Sequence, residues 1–262
     1  MNKTINILSV GNSFSVDTMQ HVAEIAKSIG YDVTLGNLYV GGCSIQQHYH
    51  HIENDLAVYR FYRNDGQGWS DTPDVAISTA VSSLNWDVIS IQHGSKDGSR
   101  YTDVSSYEKL VPLVEKILSY TVKKPKIAFN MTWVGEPYHH HKELASYNGD
   151  QLLVYLLIAE VMRSHIAVLT EIDILSPVGT AVQNARTTIL RDRMSRDGYH
   201  LSYALGRYIA GLTFFSALTG ADISGVSYMP EGVSEEDRAI AIAAASAAIA
   251  SPFALTELQS EG

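Results

Sequence analysis

The sequence predicts an α/β protein: a three-layer α/β/α sandwich around a central five-stranded parallel sheet. Short apolar, β-branched runs alternate with segments whose apolar residues recur at helical spacing. The runs are apolar along their whole length rather than at every second residue, so both faces of the strands must be covered. A parallel sheet with helices on either side provides that cover. Composition agrees, with 262 residues, 45% hydrophobic, 18% charged and a net charge of −9. Such a chain is globular rather than disordered, collagenous or coiled-coil.

Taken in order, residues 5–10 form a β-branched run ending at Gly11, the first strand. Asp17 can cap a helix that carries Val22, Ile25, Ala26 and Ile29 and stops at Gly30. Residues 33–40 read as the second strand, ending at the pair Gly41 and Gly42. Residues 45–73 are polar and aromatic with no clear period and are expected to be a loop. A helix over 75–84 leads to a third strand at 87–91. A helix (107–120), a strand (126–131), a helix (150–164) and a strand (168–175) follow, then helices near 178–190 and 203–218. A second loop is expected over 133–147. Ser234-Glu235-Glu236-Asp237 is a capping-box pattern that starts a C-terminal helix at about 234–251. No repeat or linker interrupts the series, so 1–262 reads as one domain with 45–73 and 133–147 as loop insertions.

Several function classes fall away on composition. A net acidic chain without a Lys/Arg run is not built for phosphate backbones, so nucleic acid is not expected as a partner. The single cysteine, Cys43, excludes an internal disulfide and any Cys-x-x-Cys site. The longest apolar stretch, 239–250, falls short of the ~20 residues that span a bilayer. MNKTINILSV lacks the apolar core and cleavage site of a signal peptide. The protein is expected to be cytoplasmic, or exported with its signal peptide absent from this sequence.

In open parallel sheets a ligand sits beyond the carboxyl ends of the strands, where strand order reverses. For a 2-1-3-4-5 order that point follows Val10 and Ile91. Gly11-Asn12-Ser13-Phe14-Ser15 lies at the first of these. Gly11 permits a sharp turn, and Ser13 then stands at a helix start where its own N–H can face an oxyanion. Ser13 or Ser15 also reads simply as a helix cap.

Asp197-Gly198-Tyr199-His200-Leu201-Ser202 precedes a late helix that Ser202 can cap. A serine hydroxyl needs a base, imidazole suits that task, and a carboxylate across a turn can hold its tautomer. The plainer alternative makes Asp197 a turn cap and packs His200 under the helix. Gly42 offers an unobstructed N–H after the second strand, and Gln92 offers a side-chain amide after the third. They serve equally well as a turn former and as a partner for loop carbonyls.

GNSFS after the first strand, GGCS after the second and DGYHLS before the late helix resemble the SGNH (GDSL-type) hydrolase superfamily. The closer likeness is to its DUF4886 group of bacterial proteins linked to acetyl-ester cleavage. It extends over nearly the whole chain, through Trp133, the segment Pro177-Val178-Gly179-Thr180-Ala181 and Gly206-Arg207-Tyr208. The resemblance implies a flavodoxin-like sheet, Ser13 as nucleophile, and Asp197 and His200 as the rest of the triad. It also implies an oxyanion hole from the N–H groups of Ser13 and Gly42. The usual Gly-x-Asn-Asp block is replaced by Gln92-His93-Gly94-Ser95, so the third donor role passes to Gln92, as in a related carbohydrate-esterase branch. Asn12 stands where aspartate is usual. Asn12, His93 and Trp133 are expected against the substrate. An α/β-hydrolase elbow is not indicated, because Ser13 lacks the Gly-x-Ser-x-Gly frame and follows the first strand.

Six of the ten histidines form two clusters, His48, His50, His51 and His139, His140, His141, with Glu53 and Glu136 nearby. No His-Glu-x-x-His motif accompanies them. With Tyr49, Tyr59, Tyr62, Trp69, Trp133 and Tyr138 they read as a polar, aromatic rim suited to sugars rather than a metal site. The expected function is a serine ester hydrolase, without metal or cofactor, removing small acyl groups (acetyl above all) from a small-molecule or oligosaccharide ester. Two alternatives stand beside it: a glycan-binding protein on the same fold, and a metal-assisted hydrolase using the histidine-rich segments.

Overall fold

In the computed structural model, which describes residues 2–94, 100–137 and 142–258, seven strands form one sheet. They are β1 (Lys3–Gly11), β2 (Tyr31–Tyr39), β3 (Tyr59–Asn64), β4 (Trp69–Val75), β5 (Val88–Gln92), β6 (Lys126–Asn130) and β7 (Ile174–Ser176). Their order is β4-β3-β2-β1-β5-β6-β7. The five strands β2, β1, β5, β6 and β7 run parallel and reproduce the expected core. Strand order reverses at β1, between β2 and β5, so the ends of these three strands open one crevice.

The helices are α1 (Ser13–Met19), α2 (Val22–Ser28), α3 (Ile45–Glu53), α4 (Ile77–Ser82), α5 (Leu110–Leu118), α6 (Lys142–Ser146), α7 (Gln151–Val161), α8 (Val178–Arg186), α9 (Leu205–Thr219) and α10 (Glu235–Ala250). α1, α2, α8 and α10 pack around α9, while α3, α4 and α5 pack together. Helix α9 is apolar on nearly every face and correspondingly buried, with Gly211 letting Ile25 of α2 approach to 3.0 Å of where a Cβ would stand. Ser234 accepts from the Asp237 N–H and starts α10 as its sequence suggests.

Residues 45–73 are not a loop. Ser44 and Gln47 form a reciprocal capping box that starts α3. β3 and β4 then make an antiparallel hairpin that extends the sheet beyond β2. The connection turns on Gly66 and Gly68, at φ +94 and +107, whose N–H groups both donate to Asn64 Oδ1. β4 is an edge strand, exposed through its middle, so its sequence carries no apolar alternation to reveal it. In the second expected loop, α6 occupies 142–146, and 138–141 lie outside the described residues. The strand expected at 168–175 is shorter, because α7 ends in a π turn over 162–166 and β7 begins only at Ile174.

Candidate active site

β1 delivers the chain to its turn at Gly11, where a Cβ would lie 2.6 Å from Ser15 Oγ. Only glycine fits there. The cap of α1 is Asn12, not Ser13 or Ser15, and Asn12 Oδ1 accepts from the Phe14 N–H at 3.0 Å, while α2, the helix Asp17 was expected to cap, starts at His21 without a side-chain cap. Ser13 therefore becomes the first residue of α1, with its hydroxyl free to reach outward. Its Oγ lies 2.9 Å from His200 Nε2.

On the far side of that imidazole, Nδ1 is 2.7 Å from Asp197 Oδ2. Asp197 Oδ1 also accepts from the N–H groups of His200 and Tyr199, at 2.7 and 3.0 Å, which closes the turn. A carboxylate at Nδ1 keeps the proton on that nitrogen and leaves Nε2 as acceptor for the serine hydroxyl. Partial burial pushes the Asp197 carboxyl up, but the hydrogen bonds from His200 and Tyr199 and the imidazole's charge outweigh it and hold it at about 2. Ser13, His200 and Asp197, expected together from the sequence, are brought into one relay.

Sequence reasoning missed what holds the histidine turn in place. Asp17, placed as a helix cap, is instead a buried carboxylate on α1, with no solvent exposure. It accepts from Arg196 Nη1 at 2.9 Å, from Arg207 Nε at 2.8 Å and from the Leu201 N–H at 2.9 Å. The residues either side of the turn are thus clamped onto the helix that carries Ser13. Arg196 and Arg207 also both pack against the Tyr203 ring, at 4.9 and 4.7 Å from its centroid. The N-cap of α9 is Ala204 rather than Ser202, although Ser202 Oγ, two residues earlier, accepts from the Gly206 N–H in the first turn.

A pocket of about 330 Å³ opens at Ser13 and His200. Gly42, at φ +65, lines it, and neither the Gly42 nor the Ser13 N–H has a hydrogen-bond partner among the described residues. Gly94 lies flat against the same turn, where a Cβ would stand 2.0 Å from the Cys43 carbonyl oxygen. The remaining walls are Phe14, Tyr39, Tyr101 and Tyr199, none singled out by the sequence for this role. The Tyr101 and Tyr199 hydroxyls are 2.5 Å apart.

Four expected contacts need correction. Gln92 is buried, does not line the pocket, and gives its amide to Asn12 Oδ1 at 2.8 Å. Asn12 borders the pocket, but its Nδ2 donates to the carbonyls of Cys43 and His93, and its Oδ1 already accepts two bonds. It ties the ends of β1, β2 and β5 together and has no bond left for a ligand. His93 is buried between the rings of Tyr101 and Tyr107. Trp133 is buried too, stacked on Phe14 at 4.2 Å, with its N–H on the Tyr199 carbonyl. Those two rings support the pocket wall from behind.

The first histidine cluster lies on α3, not in a loop. His48 and His51 both turn Nδ1 to the Tyr59 hydroxyl, at 2.7 and 3.0 Å, while His50 pairs with Asn54. Tyr59 is buried with His48 instead of forming a rim. The second cluster, with Tyr138 and Ser95, lies outside the described residues. Among the described residues no group of three or more His, Cys, Asp or Glu could hold a metal ion, and no helix is long and apolar enough to cross a membrane.

A family model described as Domain of unknown function (DUF4886) matches residues 6–248. The chain belongs to the DUF4886 family. A solved DUF4886 protein from Bacteroides uniformis is 34% identical, with a TM-score of 0.91 over 98% of each chain. Looser likenesses link this DUF4886 chain to a member of the lipolytic G-D-S-L family from Veillonella parvula (15% identity, TM-score 0.48, 83% of this chain and all of that one). A GDSL-like lipase from Bacteroides thetaiotaomicron is similar at 13% identity and a TM-score of 0.44, over 83% of this chain and 87% of that one. No curated protein matches. Likenesses this loose leave the chemistry to be read from the side chains themselves.

Proposed function

We propose that this DUF4886 protein is a serine ester hydrolase that removes a small acyl group, acetyl above all, from a carbohydrate. The observation that carries this reading is the Ser13–His200–Asp197 relay at 2.9 and 2.7 Å. A serine hydroxyl is a poor nucleophile at neutral pH, and an aligned imidazole removes that limit. Ser13 Oγ attacks the ester carbonyl as His200 Nε2 takes its proton. The carbonyl oxygen, now negative, accepts from the N–H groups of Ser13 and Gly42. His200 then returns the proton to the departing alcohol, leaving an acyl group on Ser13. Water, deprotonated by the same nitrogen, cleaves that ester and restores the hydroxyl. Each oxyanion donor is worth ~10²–10³ in kcat.

Two features support a short acyl group and a sugar. The pocket must hold the acyl group and part of the alcohol within about 330 Å³, and Phe14 packs at 4.8 Å against Tyr199 along its wall. Tyr39, Tyr101 and Tyr199 offer ring faces for C–H patches and hydroxyls for polar groups. Ser13→Ala tests the reading. It should abolish hydrolysis of p-nitrophenyl acetate, and acetate release from acetylated glycans, without lowering Tm. Full retained activity would remove the nucleophile.

A further inference from the structure

Along residues 11–20 only Ser13, Val16 and Gln20 reach the surface, and every other residue is buried. Their spacing places them on one face of α1, so a solvent-facing stripe runs from the nucleophile to Gln20, about 10 Å along the axis. The hairpin that the sequence did not reveal stands beside that stripe. Tyr62 of β3 is the cross-strand neighbour of Asn37 in β2, and Asn37 faces α1, since its Oδ1 accepts from Ser15 Oγ at 2.8 Å. Trp69 pairs with Asn64, two residues beyond Tyr62 and therefore on the same face of the sheet. Val16, Gln20, Asn37, Tyr62 and Trp69 enclose a second pocket of about 220 Å³. Tyr39 joins the two pockets: it lines the first, and its ring packs at 6.0 Å against Tyr62 of the second.

We propose that this second pocket is a binding subsite for the sugar ring next to the one that carries the scissile ester. It rests on the reading of Ser13 as an esterase nucleophile and names how the substrate is held. The chemistry of the walls is what a pyranose requires. Two aromatic rings can cover its C–H face, and amides from Gln20 and Asn37 can meet its hydroxyls. Asn37 lines this pocket, and its amide nitrogen has no partner among the described residues, so a ligand hydroxyl can accept from it. Trp69 Nε1 is closed off from solvent, so Trp69 offers its ring rather than its N–H. The volume lies below the ~300–1,000 Å³ of pockets that take drug-sized molecules, which suits a single ring.

The protein carries its own probe. Of the three tryptophans, Trp86 and Trp133 are buried to 2% and 1%, which leaves Trp69 as the one a sugar can reach. Ser13→Ala protein is titrated with unacetylated xylo-, cello- and chito-oligosaccharides while tryptophan fluorescence is followed. A saturable change that vanishes in Ser13→Ala/Trp69→Phe is expected; no response to any of the three series would overturn the subsite. In the catalytically intact protein, Trp69→Ala should lower kcat/KM on the acetylated form of the bound oligosaccharide more than on p-nitrophenyl acetate. The expected excess is about tenfold, and most of it should appear in KM. Equal losses on both substrates would also overturn it. If p-nitrophenyl acetate is hydrolysed but no sugar binds, the subsite fails alone; if sugars bind and no ester is cleaved, the esterase reading fails alone.

Discussion

Two carboxylates grip the turn that carries His200, and they do so under opposite conditions. Asp197 belongs to the turn, has a side chain 48% exposed, and meets the imidazole directly. Asp17 comes from α1, has no exposure, and touches the turn only through Arg196 and the Leu201 N–H. The exposed carboxylate sets the protonation and orientation of the ring. The buried one sets where the ring stands relative to Ser13, which lies on its own helix. Orientation and location are thus held by different groups in different surroundings, and substitutions should separate them.

The largest expected effect falls on the exposed side. Asp197→Asn should lower kcat on p-nitrophenyl acetate by ~10⁴, because an amide no longer favours the Nδ1–H tautomer, with Tm nearly unchanged. Since Asp197 is held at about 2, it stays ionised down to roughly pH 3. An acidic limb in kcat/KM at higher pH therefore reports another group. Asp17→Asn should show the reverse emphasis. It leaves two guanidinium groups facing a neutral amide, a loss of ~3–5 kcal/mol or about 6–20 °C in Tm. An Asp17→Asn protein of wild-type Tm would break the comparison.

Buried groups away from the relay should also act on stability alone. Burial, then the charges of His51 and His93, lowers the His48 imidazole to about 3. Unfolded, it takes a proton near 6.5. Between those values the unfolded chain binds the extra proton, so His48 destabilises the fold progressively as pH falls below 6.5 and contributes no slope above it. At pH 5 the loss is roughly 2 kcal/mol, or about 4–8 °C in Tm. His48→Asn should remove that part of the slope in a Tm–pH series, and an unaltered slope would contradict the assignment. Gln92→Ala is of similar size. Removing its bond to Asn12 should cost ~1–3 kcal/mol of stability and leave kcat within about threefold. A kcat loss of ~10²–10³ would return Gln92 to the oxyanion hole.

The same division explains what was legible in the chain. Gly11, Ser13, Gly42, Asp197 and His200 could be found because each lies in a short window where a glycine turn follows a strand or precedes a helix. The parallel strands β1, β2, β5 and β6 were legible because burial on both faces makes them largely apolar, whereas β7, three residues long and only partly buried, meets its expected range at 174–175 alone. Asp17 was not, since its partners Arg196 and Arg207 lie 179 and 190 residues away and its own neighbourhood suits a cap. The β3–β4 hairpin was hidden by the polarity of an exposed edge. His93 and Trp133 were placed at the rim because they follow strand ends. The segments around Tyr101 and Tyr199 lie over them, so the tyrosines form the wall and the two sequence-predicted rings lie behind it.

A serine activated by its neighbours should react irreversibly with an organophosphorus fluoride, losing fluoride as its oxygen bonds to phosphorus. Peptide mass mapping after treatment at neutral pH should find one phosphonyl group, on Ser13, formed in step with the loss of esterase activity. Activity lost through a label on any other residue, or full labelling of Ser13 with esterase activity intact, would contradict the nucleophile at the centre of this account.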